Sequence, residues 1–181
     1  MALVPASASL VGVDERGGAL VSFRDAAAAR DVACEVFEGD WLSVEAIVPA
    51  ADVVVCHHVL YNVRAVELFV RALGAHARHR VVCELGAAHP LTYLAPLWRR
   101  FWDLDRPDGP VAADAVEVLR EVGIEPEVVV AGGVPGHWRT PEQQVHLARR
   151  RLCLPASRDP EVADALAALA PASDEVWVLA W

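Results

Sequence analysis

The sequence predicts an α/β domain built on a parallel sheet, and three observations carry that prediction. Short apolar runs recur along the chain between stretches of helical periodicity, which is how strands joined by crossover helices read. The run Val53-Val54-Val55-Cys56 is continuous rather than alternating, as expected of a parallel strand buried on both faces. It ends in His57 and His58, at the carboxyl end of the strand, where open α/β sheets hold their ligands.

Taken in order, Ser9–Asp14 (SLVGVD) is a short apolar strand closed by a carboxylate, with Glu15 beside it and Gly17-Gly18 opening the next element. An alanine-rich helix follows over about residues 19–30. Cys34–Phe37 is the second strand, and Glu38, Gly39 and Asp40 form its exit loop with Trp41. The Asp52 strand comes next, and Asn62 reads as the cap of the helix after Tyr61. That helix places Val66, Phe69, Val70, Leu73 and Ala77 on one face, with Glu67 four residues ahead of Arg71 on the other. His76 and His79 fall in its last turns, where the helix dipole favours a cation and a surface position is expected.

Arg80–Leu85 (RVVCEL) is the next strand and leaves through Gly86 into a segment holding Tyr93, Trp98, Phe101 and Trp102. Such a cluster serves either as plain core packing or as a lid over a pocket. Gly109-Pro110 starts a helix in which Ala112, Ala115, Val116, Leu119 and Val122 share a face, and Gly123 stops it. Glu127–Ala131 is a strand broken off by Gly132-Gly133 and Pro135-Gly136. Helices over about residues 142–152 and 161–169 precede a last strand, Glu175–Ala180.

Length and composition bound the function. The 181 residues fit one domain over residues 1–181, with 55% hydrophobic content to fill its core. The 16 basic residues are all arginine, which reads as a high-GC coding bias, and they leave a formal charge of -9. A chain this acidic is a poor partner for nucleic acid. The run Arg149-Arg150-Arg151 is expected to be a solvated helix face. Cys34, Cys56, Cys83 and Cys153 occur singly, without zinc-ligand spacing, and read as free thiols in a reducing cytoplasm. MALVPASASL lacks the basic lead of a signal peptide, and no run reaches the length of a membrane helix, so the expectation is a cytoplasmic protein with no membrane contact.

Asp14 at its strand tip, the EGDW turn and the stretch AADVVVCHHVLYNV together resemble the class I S-adenosylmethionine-dependent methyltransferases, in the small-molecule type common in high-GC bacteria. The resemblance covers nearly the whole sequence. It implies a Rossmann-like sheet ordered 3-2-1-4-5-7-6 with the final strand antiparallel, and S-adenosylmethionine as cofactor. Counted against that order, the second to seventh strands are present, while the first strand and its glycine-rich cofactor loop are missing. The expectation is therefore a truncated or mis-started domain. Alternatively, the second and fourth strands pair directly, or a partner chain, a homodimer included, fills the gap.

By the same resemblance Asp14 accepts from the ribose hydroxyls, with Glu15 sharing or replacing that role, because a carboxylate offers acceptors only. The same placement occurs in nicotinamide-binding proteins, so Asp14 alone separates nothing. Asp40 would accept from the adenine amino group, with Trp41 near the ring, although an ordinary turn carboxylate is the competing reading. His57 would touch the methionine end of the cofactor, and His58 would point to the substrate. His89 leaves the neighbouring strand and, with His58, is a candidate base for a hydroxyl acceptor; packing or capping is the commoner fate of a lone histidine. Tyr61 and Trp98 are candidate substrate contacts. HHVLYN stands where amino-directed nucleic-acid methyltransferases carry Asn/Asp-Pro-Pro-Tyr, which argues for a small-molecule acceptor. The competing function is a non-catalytic interaction protein that keeps part of this fold. A nicotinamide-dependent oxidoreductase is the weaker third, since it too needs a glycine fingerprint.

Overall fold

The computed structural model describes residues 8–132, 140–169, 173 and 175–181. The chain divides into two compact units, residues 1–55 with 63–81 and residues 56–62 with 82–181.

In the first unit, β1 (Ser9–Asp14) lies parallel to β2 (Ala33–Glu38), in a register that sets Asp14 opposite Glu38. The crossover between them is α1 (Gly17–Ala28), which buries Leu20 and Ala27. It begins at Gly17, earlier than predicted, on the turn that follows β1. A Cβ on Gly17 would stand 2.9 Å from Glu38 Oε2. After β2 comes α2 (Trp41–Val44), a single turn capped by Asp40, and a 3-10 turn at Glu45–Ile47.

β3 (Ala51–His57), α3 (Val66–His76) and β4 (Ala77–Gly86) follow, and both strands run on into the second unit. Here four expectations are corrected. Asn62 caps no helix: it closes a 3-10 turn, Leu60–Asn62, and α3 starts at Val66 after Ala65. Ala77 and His79 belong to β4 rather than to α3. Sheet pairing extends β4 towards its amino end and overrides alanine's preference for helix. His76 is not a surface residue, since its side chain is only 15% exposed. Its ring nitrogens lie 2.8 Å from the Ala72 carbonyl and 2.9 Å from the Glu45 carbonyl. Nor is β3 buried on both faces. Val53 is 49% exposed and Val55 54%, and the two share one face of the strand, which the described residues leave half open.

The second unit carries the rest of the four-stranded sheet, ordered β3-β4-β6-β5, with β5 (Glu127–Gly132) and β6 (Glu175–Ala180). β6 is antiparallel to both neighbours and sets Trp177 between Leu85 and Val130. An antiparallel final strand next to the fifth is what the sequence resemblance implies. β1 and β2 form a two-stranded sheet of their own, so the alternative of direct pairing between β1 and β3 does not occur.

Four helices complete this unit: α4 (Ala95–Trp102), α5 (Ala112–Glu121), α6 (Pro141–Arg151) and α7 (Asp159–Ala167). Thr140 and Gln143 form a reciprocal capping box at the start of α6. Leu94, Leu97, Ala148, Leu152, Leu154, Val162 and Ala165 make one core, against which Tyr93, Trp98 and Phe101 pack. Packing is therefore what most of the aromatic cluster does, and the Nε1–H of Trp102 donates to the Leu152 carbonyl at 2.8 Å. Arg149 departs from the solvated face expected of its run. Its side chain is 16% exposed, pairs with Asp159 at 2.7 Å and donates to the Leu154 carbonyl. The predicted stop at Pro135-Gly136 lies outside the described residues.

Candidate functional site

The acidic tips of the first unit are brought together by one backbone contact. Gly39 N–H donates to the Asp14 carbonyl at 3.1 Å, so the exit loop of β2 folds over the end of β1. Gly39 holds φ +153°, and a Cβ there would meet Val44 Cγ1 at 2.5 Å, so the loop depends on glycine. Asp14 Oδ1 accepts from Arg16 N–H at 2.8 Å and from Arg16 Nε at 3.3 Å. Asp40 Oδ1 accepts from Leu42 N–H at 3.1 Å and thereby caps α2, which is the turn-carboxylate alternative. Glu15 is exposed in the turn after β1. Glu38, opposite Asp14 and against Gly17, is a third carboxylate at these tips. Trp41 packs edge-on against His76, at 4.8 Å between ring centroids, and its buried Nε1–H meets no acceptor among the described residues.

In the second unit the histidines converge on a residue that sequence reasoning did not single out. Glu84 Oε1 lies 3.4 Å from His57 Nδ1 and 3.5 Å from His58 Nε2. The backbone is fixed at the same point, because His58 N–H donates to the Glu84 carbonyl at 2.8 Å. His58 sits at φ +54°, a left-handed conformation that costs a non-glycine residue about 1–2 kcal/mol. Strain of this kind at a strand tip marks a site whose geometry is held by its surroundings. The signal for Glu84 was present in RVVCEL, a carboxylate within an otherwise apolar strand.

Two residues beyond Glu84, Gly86 opens an open cleft of about 760 Å³. Tyr61 donates its hydroxyl to the Gly86 carbonyl and stands edge-on to His89, at 5.4 Å between centroids. Burial pushes the Tyr61 hydroxyl up to about 12, so it remains a donor at neutral pH. His89 lines the cleft and its Nδ1 accepts from Leu91 N–H at 3.1 Å. In the neutral ring that leaves Nε2 carrying the proton, so the donor of His89 is Nε2–H. Trp98 is not among the cleft's lining residues: it packs on the core beneath Arg106, whose guanidinium lies 5.2 Å from its ring centroid.

Cys56 and Cys83, just ahead of His57 and Glu84, are buried and share a thiol–thiol hydrogen bond. Donation by Cys83 lowers the Cys56 thiol below its ordinary range, and the same bond with burial raises Cys83. Among the described residues no group of three or more His, Cys, Asp or Glu is placed to hold a metal ion, and no helix is long and apolar enough to cross a membrane.

No family description and no curated protein matches the sequence. Solved structures do. The chain is similar to a SAM-dependent methyltransferase from Thiobacillus denitrificans, solved with S-adenosyl-L-homocysteine, at 16% identity and TM-score 0.54, over 94% of this chain and 73% of that one. It is also similar to the magnesium protoporphyrin IX methyltransferase of Synechocystis, solved with SAH bound, at 12% identity and TM-score 0.53 over 97% of this chain. The chain spans 64% of the length of that enzyme. The α/β fold is thus shared with S-adenosylmethionine-dependent methyltransferases.

Proposed function

We propose that this chain is a methyltransferase-like domain that moves a methyl group from S-adenosylmethionine to an oxygen of a small-molecule acceptor. The observation that carries the reading is Glu84 between His57 and His58, on the strand that opens the cleft at Gly86. The shared fold and the Asp14 tip support the choice of methyl donor.

The residues of the first unit fit the adenosine half of that cofactor. Asp14 and Asp40 each use one carboxylate oxygen in a local bond and keep the other for a hydroxyl or amino donor. The buried, unpartnered Nε1–H of Trp41 offers a further donor. No glycine-rich turn stands among these tips in the described residues. When bound, S-adenosylmethionine supplies an electrophilic methyl on a sulfonium.

This chain's own part is to orient the acceptor and take its proton. A carboxylate only accepts, so the ring nitrogens facing Glu84 carry the protons and leave lone pairs on His58 Nδ1 and His57 Nε2. His58, strained and pinned to the Glu84 backbone, takes the acceptor's proton, and Glu84 balances the charge that forms on the ring. Orientation of the acceptor supplies most of the acceleration.

Calorimetric titration of S-adenosylhomocysteine tests the reading. The expected result is binding that weakens about tenfold in Asp14→Ala, the loss of a hydrogen-bonded carboxylate. An absence of binding by this chain overturns it. That outcome would favour a non-catalytic interaction protein, for which the half-exposed Val53 and Val55 on β3 speak.

A further inference from the structure

We infer that the acceptor is a small ring-sized molecule carrying one anionic group, held by Arg106. The inference rests on the methyl-transfer reading for the acceptor's role and on the cleft alone for its chemistry. The protein is acidic overall, at a formal charge of -9, so an anion needs a local cation to enter. The cleft lining holds two, Arg99 and Arg106. Arg99 is spent, because it pairs with Asp105 of the same lining. Arg106 makes no ion pair among the described residues. Its guanidinium instead lies 5.2 Å from the Trp98 ring centroid, a cation–π contact that holds it at the cleft.

A contact with a ring face uses none of the guanidinium's N–H donors, and their fork matches a carboxylate with two parallel hydrogen bonds. Trp98 is on this argument a positioning residue, acting through Arg106. His89 adds a neutral N–H donor to the same lining. Ala88, Pro90, Ala95 and Pro96 give the cleft an apolar part of its lining, which suits an apolar ring. Asp108 also lines it, with no ion pair among the described residues, and its charge opposes a second anionic group on the ligand. One anion on an apolar ring is the chemistry that fits all of these groups.

The test uses three probes of one size on the whole chain at neutral pH: para-hydroxybenzoate, phenol and tyramine, followed by backbone amide shifts in NMR titrations without cofactor. Para-hydroxybenzoate is expected to bind about tenfold or more tighter than phenol, the value of one charge-assisted pair. Arg106→Gln should bring it to the level of phenol. Trp98→Ala should weaken it several-fold, and Arg106→Gln added to Trp98→Ala should cost no more than Arg106→Gln alone. Arg151→Gln, on the surface of α6, should change nothing. No binding of para-hydroxybenzoate, equal binding of phenol, or preference for tyramine overturns the inference, as does full binding by Arg106→Gln. Failure of the methyl-donor reading is seen separately, as absent S-adenosylhomocysteine binding with these ratios intact.

Discussion

Glu84 Oε1 stands 3.4 Å from His57 Nδ1, and the same oxygen stands 3.5 Å from His58 Nε2. One acceptor thus faces two rings by unlike nitrogens. The prediction is a fixed set of neutral tautomers: Nδ1–H for His57, Nε2–H for His58, and Nε2–H for His89, whose Nδ1 accepts from Leu91. Long-range nitrogen–proton correlation in NMR reads them directly. Glu84→Ala should scramble the first two and leave His89 unchanged; an unchanged spectrum would remove Glu84 from the site.

His58 at φ +54° separates stability from activity. In His58→Gly the strain of about 1–2 kcal/mol is relieved, while the freer unfolded chain takes back about 0.4–1 kcal/mol. Thermal unfolding should therefore place the variant at or slightly above the parent. Transfer to a hydroxyl acceptor should fall about 100-fold or more, the usual contribution of a general base. A variant that keeps its rate would remove His58 from proton transfer.

Tyr61 gives a pH dependence of known sign. Its hydroxyl is raised from an ordinary 10 to about 12 by burial, so the folded state favours the protonated form. The stabilisation is fully present below the unfolded value and is lost as pH rises through the folded one, a window of about 10 to 12. Ultraviolet titration should show one tyrosine ionising only towards about 12. Tyr61→Phe, which removes the bond to Gly86, should cost about 0.5–1.5 kcal/mol in denaturant unfolding and flatten the alkaline limb.

Arg149 and its neighbours divide a run that looks uniform in sequence. Arg149→Ala removes the partner of Asp159 and the donor to Leu154, and should cost about 1–3 kcal/mol in denaturant unfolding. Arg150→Ala and Arg151→Ala, both exposed, should each stay within about 0.5 kcal/mol of the parent. Equal effects at all three positions would contradict the ion pair.

Much of the fold was legible before any coordinate. The six strands, and helices near the predicted places, followed from apolar runs and periodicity, since burial of one face is written in local sequence. Boundaries failed where pairing decided them, as at Ala77 and His79, which a helical pattern claims and β4 holds. The site was half legible. His57, His58 and His89 stood out as titratable groups at strand ends, but their shared partner is a carboxylate far along the chain. Trp98 was read as a substrate contact when it is the floor under Arg106.

What the sequence by itself determined is the set of strands, the helices between them and the residues at their tips. These depend on neighbours along the chain, whose preferences can be read in a short window. What only the tertiary structure decided is which tips meet. Glu84 reaches His57 and His58 because β3 and β4 are adjacent, and among the described residues Asp105 pairs with Arg99 while Arg106 makes no ion pair. Both are contacts set by folding in space, and a pattern of residue types does not specify its partners.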